Sequence, residues 1–552
     1  MKSWKWLIFA AALTVPLAAA AWIVWQRPQP VNMAADVPAE TLVYLEADDL
    51  PQILTALTET GAWRDIAPTY GLDRDYGKFS WFSQAMANAN LGSTASIVIG
   101  RAQIAVALMG VGTADAGESL KIRPQFAVVI ETKSNCAGSF VESEIASFAR
   151  RQFGAVRIEK KEAGNAAWTI FRSAADERNL FAAVLGTTVI LGNDEAAVQS
   201  CLDVKNGQRK SLADDANLAR MSINTERETA FAFGFVTPAG IKQLSNVGAV
   251  MAAGQMSEDP RAMSLLAQSL PPFVQKSVTA IGWTARQGAD NKIEDRYFVQ
   301  MPPDLIARLR EPLAEQERDD SVIAQLLPAN LHSLTIYNLK NPQAAWRGTI
   351  FAMTTKLDAF SAAAFSQAAG GLLAPYGIER ADDFLSQTNA SLSTVQLSTD
   401  EDGTIAAAGG FKDVAALKKS LQSESDKKSD LINDFLLIGS DESLQICRQA
   451  REQNQTFQTQ PIWLEFNDAK LIRPGIFVRT LTRDEETPVR FVGLFAKNKT
   501  AAATETLVKP GEPAPGWFWT ISETGLVRDG AERRTLSPFG LIGTLATNFA
   551  EK

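Results

Sequence analysis

The sequence predicts an α+β protein: two tandem, diverged copies of one unit, each a mainly antiparallel sheet with helices on one face, after a single N-terminal transmembrane helix. Three observations lead there. An uncharged apolar run extends from Trp6 to Trp25, hairpin signals separate β-rich segments, and short matches recur in the same order in two halves of the chain.

The run 6–25 has the length of a helix that crosses a hydrocarbon core of roughly 30 Å. Lys2 and Lys5 precede it and only Arg27 follows closely, which places the stub 1–5 in the cytoplasm and the body outside it. Trp4, Trp6, Trp22 and Trp25 bracket the run as interfacial aromatic residues do. A cleaved secretory signal, cut near Ala18-Ala19-Ala20, is the alternative; Trp22 to Trp25 prolong the apolar run past that point and favour an uncleaved anchor. Residues 26–36, with Pro28 and Pro30, read as a stiff stalk. The expected location is the inner membrane, single-pass, with the body periplasmic or extracytoplasmic.

The matches define the units. Pro38-Ala39 answers Pro328-Ala329, and Pro51-Gln52 answers Pro342-Gln343. Tyr70-Gly71-Leu72 answers Tyr376-Gly377-Ile378, and Gly192-Asn193-Asp194-Glu195 answers Gly439-Ser440-Asp441-Glu442. The last match pairs Ile281-Gly282 with Val492-Gly493. Copies at 37–301 and 327–508 follow, joined by a linker at 302–326 and followed by a C-terminal tail at 509–552. Between matches, the second copy has an added helical stretch, Trp346 to Leu373. The first has added strand material near Ile130, Ile158 and Trp168 to Phe171.

Hairpins are expected at Ser391–Thr399 with Thr404–Phe411 around Asp402-Gly403, and at Val278–Ala285 with Ile293–Val299. Helices should start after Gly192 and Gly439, capped by Asn193 or Asp194 and by Ser440 or Asp441. Cys201 and Cys447 then occupy comparable helix positions and do not bond to each other. With Cys136 they are the only cysteines, too few and too far apart for a disulfide framework.

Pro38-Ala39-Glu40-Thr41-Leu42-Val43-Tyr44, Gly71-Leu72-Asp73 and the strand into Gly192-Asn193-Asp194-Glu195 resemble a family of uncharacterised bacterial membrane-anchored extracytoplasmic proteins, a domain of unknown function. The resemblance implies the location and no activity.

The 62 acidic and 54 basic residues, without long runs of either sign, give a net charge of −8 and no footprint for nucleic acid. The one histidine, His332, excludes metal sites built on several imidazoles and reads as a strand residue beside Leu334 and Ile336. Gly112 to Ser119 has the glycine spacing of a phosphate loop, but Glu118 stands where lysine is needed. Ser425-Asp426-Lys427-Lys428 reads as linker, and Asp400 to Gly403 as a turn without the acids of a calcium loop. The pairs Asp48-Asp49, Asp214-Asp215, Asp319-Asp320 and Asp382-Asp383 read as turns, and Trp517-Phe518-Trp519 as core.

No catalytic, cofactor-binding or metal residue is expected, and no cofactor. The expected function is binding or scaffolding in the cell envelope, with the membrane and envelope proteins as partners. An envelope hydrolase using carboxylates, for instance Asp73 and Glu379, or a serine without histidine is the alternative. A chaperone-like factor for exported or lipid-linked clients is a third reading.

Overall fold

The computed structural model describes residues 31–72, 98, 100, 102–115, 120–133, 135–256, 260–288, 291–315, 321–388, 391–398, 404–409, 412–421, 427–432, 435–457, 475–496 and 518–550. The expected stub, anchor and first part of the stalk lie outside them. Among the described residues no helix is long and apolar enough to cross a membrane.

The first half opens with β1 (Val43–Ala47), α1 (Leu50–Thr58), α2 (Gly61–Ile66), β2 (Gln103–Asp115) and β3 (Leu120–Glu131). It continues through α3 (Ala146–Phe153), β4 (Val156–Ala163), β5 (Ala166–Ser173), β6 (Asn179–Leu185), β7 (Thr188–Gly192), α4 (Glu195–Lys205) and α5 (Ala216–Asn224). It closes with β8 (Ala232–Val236), α6 (Pro238–Met256), α7 (Pro260–Ser277), β9 (Ala280–Gln287), β10 (Ile293–Gln300) and α8 (Pro303–Arg310). The second half has β11 (Ser333–Tyr337), α9 (Pro342–Thr354), α10 (Ala359–Gly370), α11 (Ala381–Gln387), β12 (Ser391–Gln396), β13 (Thr404–Gly409), β14 (Lys428–Ile432) and β15 (Phe435–Gly439). Then come α12 (Asp441–Glu452), β16 (Ile476–Arg483), α13 (Glu486–Gly493), β17 (Trp519–Val527), β18 (Gly530–Ser537) and α14 (Gly540–Ala550).

Among the described residues eighteen strands form one sheet, and every pairing between them is antiparallel. From the β10–β18 pair, one arm runs outward through β9, β8, β1, β2, β3, β7, β6, β5 and β4. The other runs through β17, β16, β11, β12, β13, β15 and β14. The register agrees as well as the order. Arg296 leads across the strands through Thr284, Phe233, Glu46, Ala105 and Val129 to Ile190, two residues before Gly192. Its opposite number Arg534 leads through Glu523, Arg479, Ile336, Ser393 and Ala407 to Leu437, two residues before Gly439. The β4–β5 hairpin is extra in the first arm and sits at its edge.

Local chemistry repeats with the register. Asp194 caps α4 through Ala197 N at 3.0 Å, and Ser440 caps α12 through Ser443 N at 3.1 Å. Cys201 and Cys447 each stand seven residues past their cap, both fully buried, and are not bonded to each other. Gly71 and Gly377 both adopt positive φ, +70° and +74°, where a Cβ would be strained. In each case the next N–H, of Leu72 or Ile378, reaches back to the carbonyl five residues earlier. Both expected hairpins form, as β12–β13 and β9–β10.

Several expectations are corrected. Helices cover both faces of the sheet, because β7 and β15 are apolar at consecutive positions and bury both sides. Ile190 packs with Val198 and Cys201 of α4, while Val189 and Leu191 pack with Phe140 and Ala149 on the opposite face. Leu437 and its neighbours Leu436 and Ile438 divide in the same way. Gly282 lies in strand β9 and Gly493 ends helix α13, so that match joins unlike elements; a short apolar run with glycine suits either. Pro51 is the second residue of α1 and Pro342 the first of α9, one position out of step relative to caps Asp49 and Asn341.

The supposed tail supplies β17, β18 and α14, at the middle of the sheet. The supposed linker contains α8 and the buried Ile323 and Ala324. The end of the stalk is also core: Met33 to Asp36 form a buried turn.

The halves interlock through helices as well as strands. Val489, Phe491 and Val492 of α13 pack against Trp63 and Ile66 of α2, and Phe273 of α7 stacks on Phe365 of α10 with ring centroids 5.5 Å apart. Burial pushes the Cys201 and Cys447 thiols up to about 12. Under native conditions an alkylating reagent should therefore modify exposed Cys136 alone, with Cys201 and Cys447 reacting together only after urea unfolding. Native labelling of Cys447 would contradict this placement.

Candidate functional site

β10 reads Ile293-Glu294-Asp295-Arg296-Tyr297-Phe298, and strand alternation sends Glu294 and Arg296 to one face and Asp295 and Tyr297 to the other. The centre of the sheet therefore carries ion pairs on one side and a polar cavity on the other.

On the charged side Arg296 and Arg534 stand directly opposite, a repulsive arrangement by itself. Each reaches diagonally to a glutamate of the other strand: Arg534 Nε lies 2.7 Å from Glu294 Oε1, and Arg296 Nε lies 2.9 Å from Glu532 Oε1. The second contact is close without being aligned as a hydrogen bond. Arg286 bridges Glu294 and Glu226 at 2.9 and 2.8 Å, and Glu226 meets Arg296 at 2.7 Å. Burial alone would raise the Glu294 carboxyl, but Arg534 and Arg286 outweigh it and pull it down to about 2. Removing one partner of such a buried pair costs about 3–5 kcal/mol, whereas replacing both by well-packed apolar groups is often neutral. The network thus specifies how the halves join more than it stabilises them.

On the opposite face β10, β16, β17 and β18 and the starts of α13 and α14 border a half-open cavity of about 300 Å³. Asp295 forms part of its lining. It accepts one hydrogen bond on each carboxylate oxygen, from Trp283 Nε1 at 2.9 Å and from Leu541 N at 2.8 Å, at the start of α14. Burial pushes its carboxyl up to about 7 against these two hydrogen bonds. Asp484 accepts from Thr487 N at 3.0 Å at the start of α13, where the helix dipole offsets its charge. The remaining wall is rich in hydroxyl groups. Those of Tyr297, Thr482, Thr487 and Thr520 make no side-chain hydrogen bond among the described residues, and no lysine or arginine lines the cavity.

The motifs noted in the sequence lie elsewhere. His332 precedes β11 and takes part in the sheet through its backbone, donating to Gln396 O and accepting from Arg483 N, each at 2.8 Å. Gly112 to Asp115 belong to β2 rather than to a loop, and 116–119 lie outside the described residues. So do Ser425, Asp426, Asp73, Trp517, 319–320 and 400–403. Asp49 and Asp215 cap helices, and Asp382 pairs with Arg347 at 2.5 Å. Phe518 and Trp519 are core, Trp519 lying edge-on to Phe457 at 5.3 Å. Glu379 is exposed. Among the described residues no cluster of three or more His, Cys, Asp or Glu side chains is placed to hold a metal ion.

Sequence reasoning missed Asp295 and Tyr297. The available signal was Glu294-Asp295-Arg296, three consecutive charges inside a strand that also carries Ile293 and Phe298. Compared with protein-family models, curated proteins and solved structures, the chain matches none.

Folded Asp295 keeps its proton to higher pH than the unfolded chain does, so its contribution to stability is complete below about pH 4 and fades as pH rises through about 7. Glu294 acts in the opposite sense: its contribution is present above about pH 4.3 and is lost as pH falls toward 2. Urea unfolding across a pH series should show Asp295→Asn flattening the limb between pH 4 and 7 while leaving the acid limb in place. An unchanged slope between pH 4 and 7 would contradict the assignment.

Proposed function

We propose that the chain is a membrane-anchored, extracytoplasmic binding or scaffold protein of the cell envelope, held by 6–25 in the inner membrane with its N-terminus in the cytoplasm. Its body is a duplicated α+β unit whose copies meet at β10 and β18. The common strand order and the two matching rows from Arg296 to Ile190 and from Arg534 to Leu437 support the duplication. On this reading the first unit ends with α8 and the second with α14.

One observation carries the binding role: the cavity where the units join keeps four hydroxyl groups without partners among the described residues. Water can satisfy such groups until a ligand with matching geometry replaces it. Rigid strands on one side and two helix starts on the other fix their positions, as a binding site requires.

The test uses the full chain in a bacterial host. A reporter active only outside the cytoplasm, fused after Lys552, should be active, and the protein should stay with membranes after a high-salt wash. A photoreactive phenylalanine analogue in place of Thr520 should yield an adduct of defined mass, and the same analogue in place of Arg157 on edge strand β4 should not. A silent reporter would overturn the location. Equal labelling, or none at either position, would overturn the binding site.

A further inference from the structure

We propose that this cavity binds a neutral, polyhydroxylated ligand, a saccharide. The proposal rests on the binding reading above and names its ligand class.

The argument starts from charge. No basic side chain is among the lining residues, and Arg533, opposite Tyr297 on this face of the sheet, already donates to Ser522 Oγ, so a phosphate or carboxylate would meet Asp295 and Asp484 with little compensation. Nor do these acids make a cation site. Asp295 already accepts on both carboxylate oxygens, from the Trp283 indole and the Leu541 amide, and is buried between them. Asp484 already accepts the Thr487 amide and sits at the positive end of α13. What remains is close to electrically neutral.

Hydrogen-bonding capacity then narrows the class. The unspent groups of Tyr297, Thr482, Thr487 and Thr520 are hydroxyls, and each can donate as well as accept. An ammonium only donates and would leave their hydrogens without acceptors. Sugar hydroxyls also donate and accept, so they can satisfy both halves of each group, and the free oxygen of Asp484 can accept one more. Pro488, Phe539 and the ring of Tyr297 give part of the wall an apolar character that suits the C–H face of a sugar ring. The volume lies at the small end of ligand pockets, which points to a short saccharide or one end of a longer one.

The test is ligand-observed NMR on the full chain in detergent, by saturation transfer for glucose, galactose, N-acetylglucosamine and spermidine and by broadening of the phosphorus signal for inorganic phosphate. Tyr297→Phe and Thr482→Val serve as variants, because neither removes a side-chain hydrogen bond made among the described residues. Their unchanged unfolding midpoints should show that they fold. At least one sugar should bind, each variant should weaken it by about threefold to tenfold, the loss expected for one hydrogen bond, and spermidine and phosphate should give no cavity-dependent signal. Sugar binding indifferent to both variants overturns the proposal, as does binding of spermidine or phosphate alone or silence from all five probes. If the Thr520 adduct still forms in any of these cases, the ligand class has failed and the binding reading stands; if it does not, both have failed.

Discussion

Two reciprocal ion pairs at the centre of the sheet hold the account together. Arg296 and Arg534 face each other across β10 and β18, and neither could be buried there without the glutamate that the opposite strand supplies. Because the pairs are diagonal, a register slip between the two strands would bring the arginines away from Glu294 and Glu532 and leave charge buried without a partner. One register is thereby selected. With it follow the continuity of eighteen strands, the interlock of α13 with α2 and α7 with α10, and the positions of Asp295 and Tyr297 on the reverse face.

The same strand residues serve opposite needs on their two faces. Glu294 is held ionised by two guanidinium groups, while its neighbour Asp295, one residue along and on the other side, is surrounded by an indole, an amide and apolar chains and tends to keep its proton. Placing a polar cavity on the most interior strands, rather than on a loop, gives its hydroxyl groups a fixed geometry. The helix starts that close it are fixed in turn, α14 through Asp295 and α13 through Asp484.

Much of the fold was legible in the sequence, at positions where backbone chemistry constrains residue type. Gly71 and Gly377 need positive φ, Asp194 and Ser440 need a capping oxygen, and Asp402-Gly403 links two strands that do pair. The Gly282 match misled because apolar-glycine pairs occur in strands and at helix ends alike. On the duplicated reading proposed above, the counterpart of β9 is β17, which lies in what looked like a tail, so the second unit seemed to end early. Helices on both faces were signalled by Val189-Ile190-Leu191 and Leu436-Leu437-Ile438, whose unbroken apolar character needs cover on each side. The cavity was not legible. Its residues come from six separate elements, and threonine and tyrosine are ordinary strand residues until the fold gathers them.

Amide hydrogen exchange across the chain tests the central claim most directly. If β10 and β18 join the halves into one sheet, peptides covering 293–300 and 530–537 should be among the slowest to exchange and should open together, while the edge strands β4 and β14 exchange fast. Exchange of either β10 or β18 at the rate of those edges would mean that the two halves are separate sheets, and the reciprocal ion pairs would not be the joint described here.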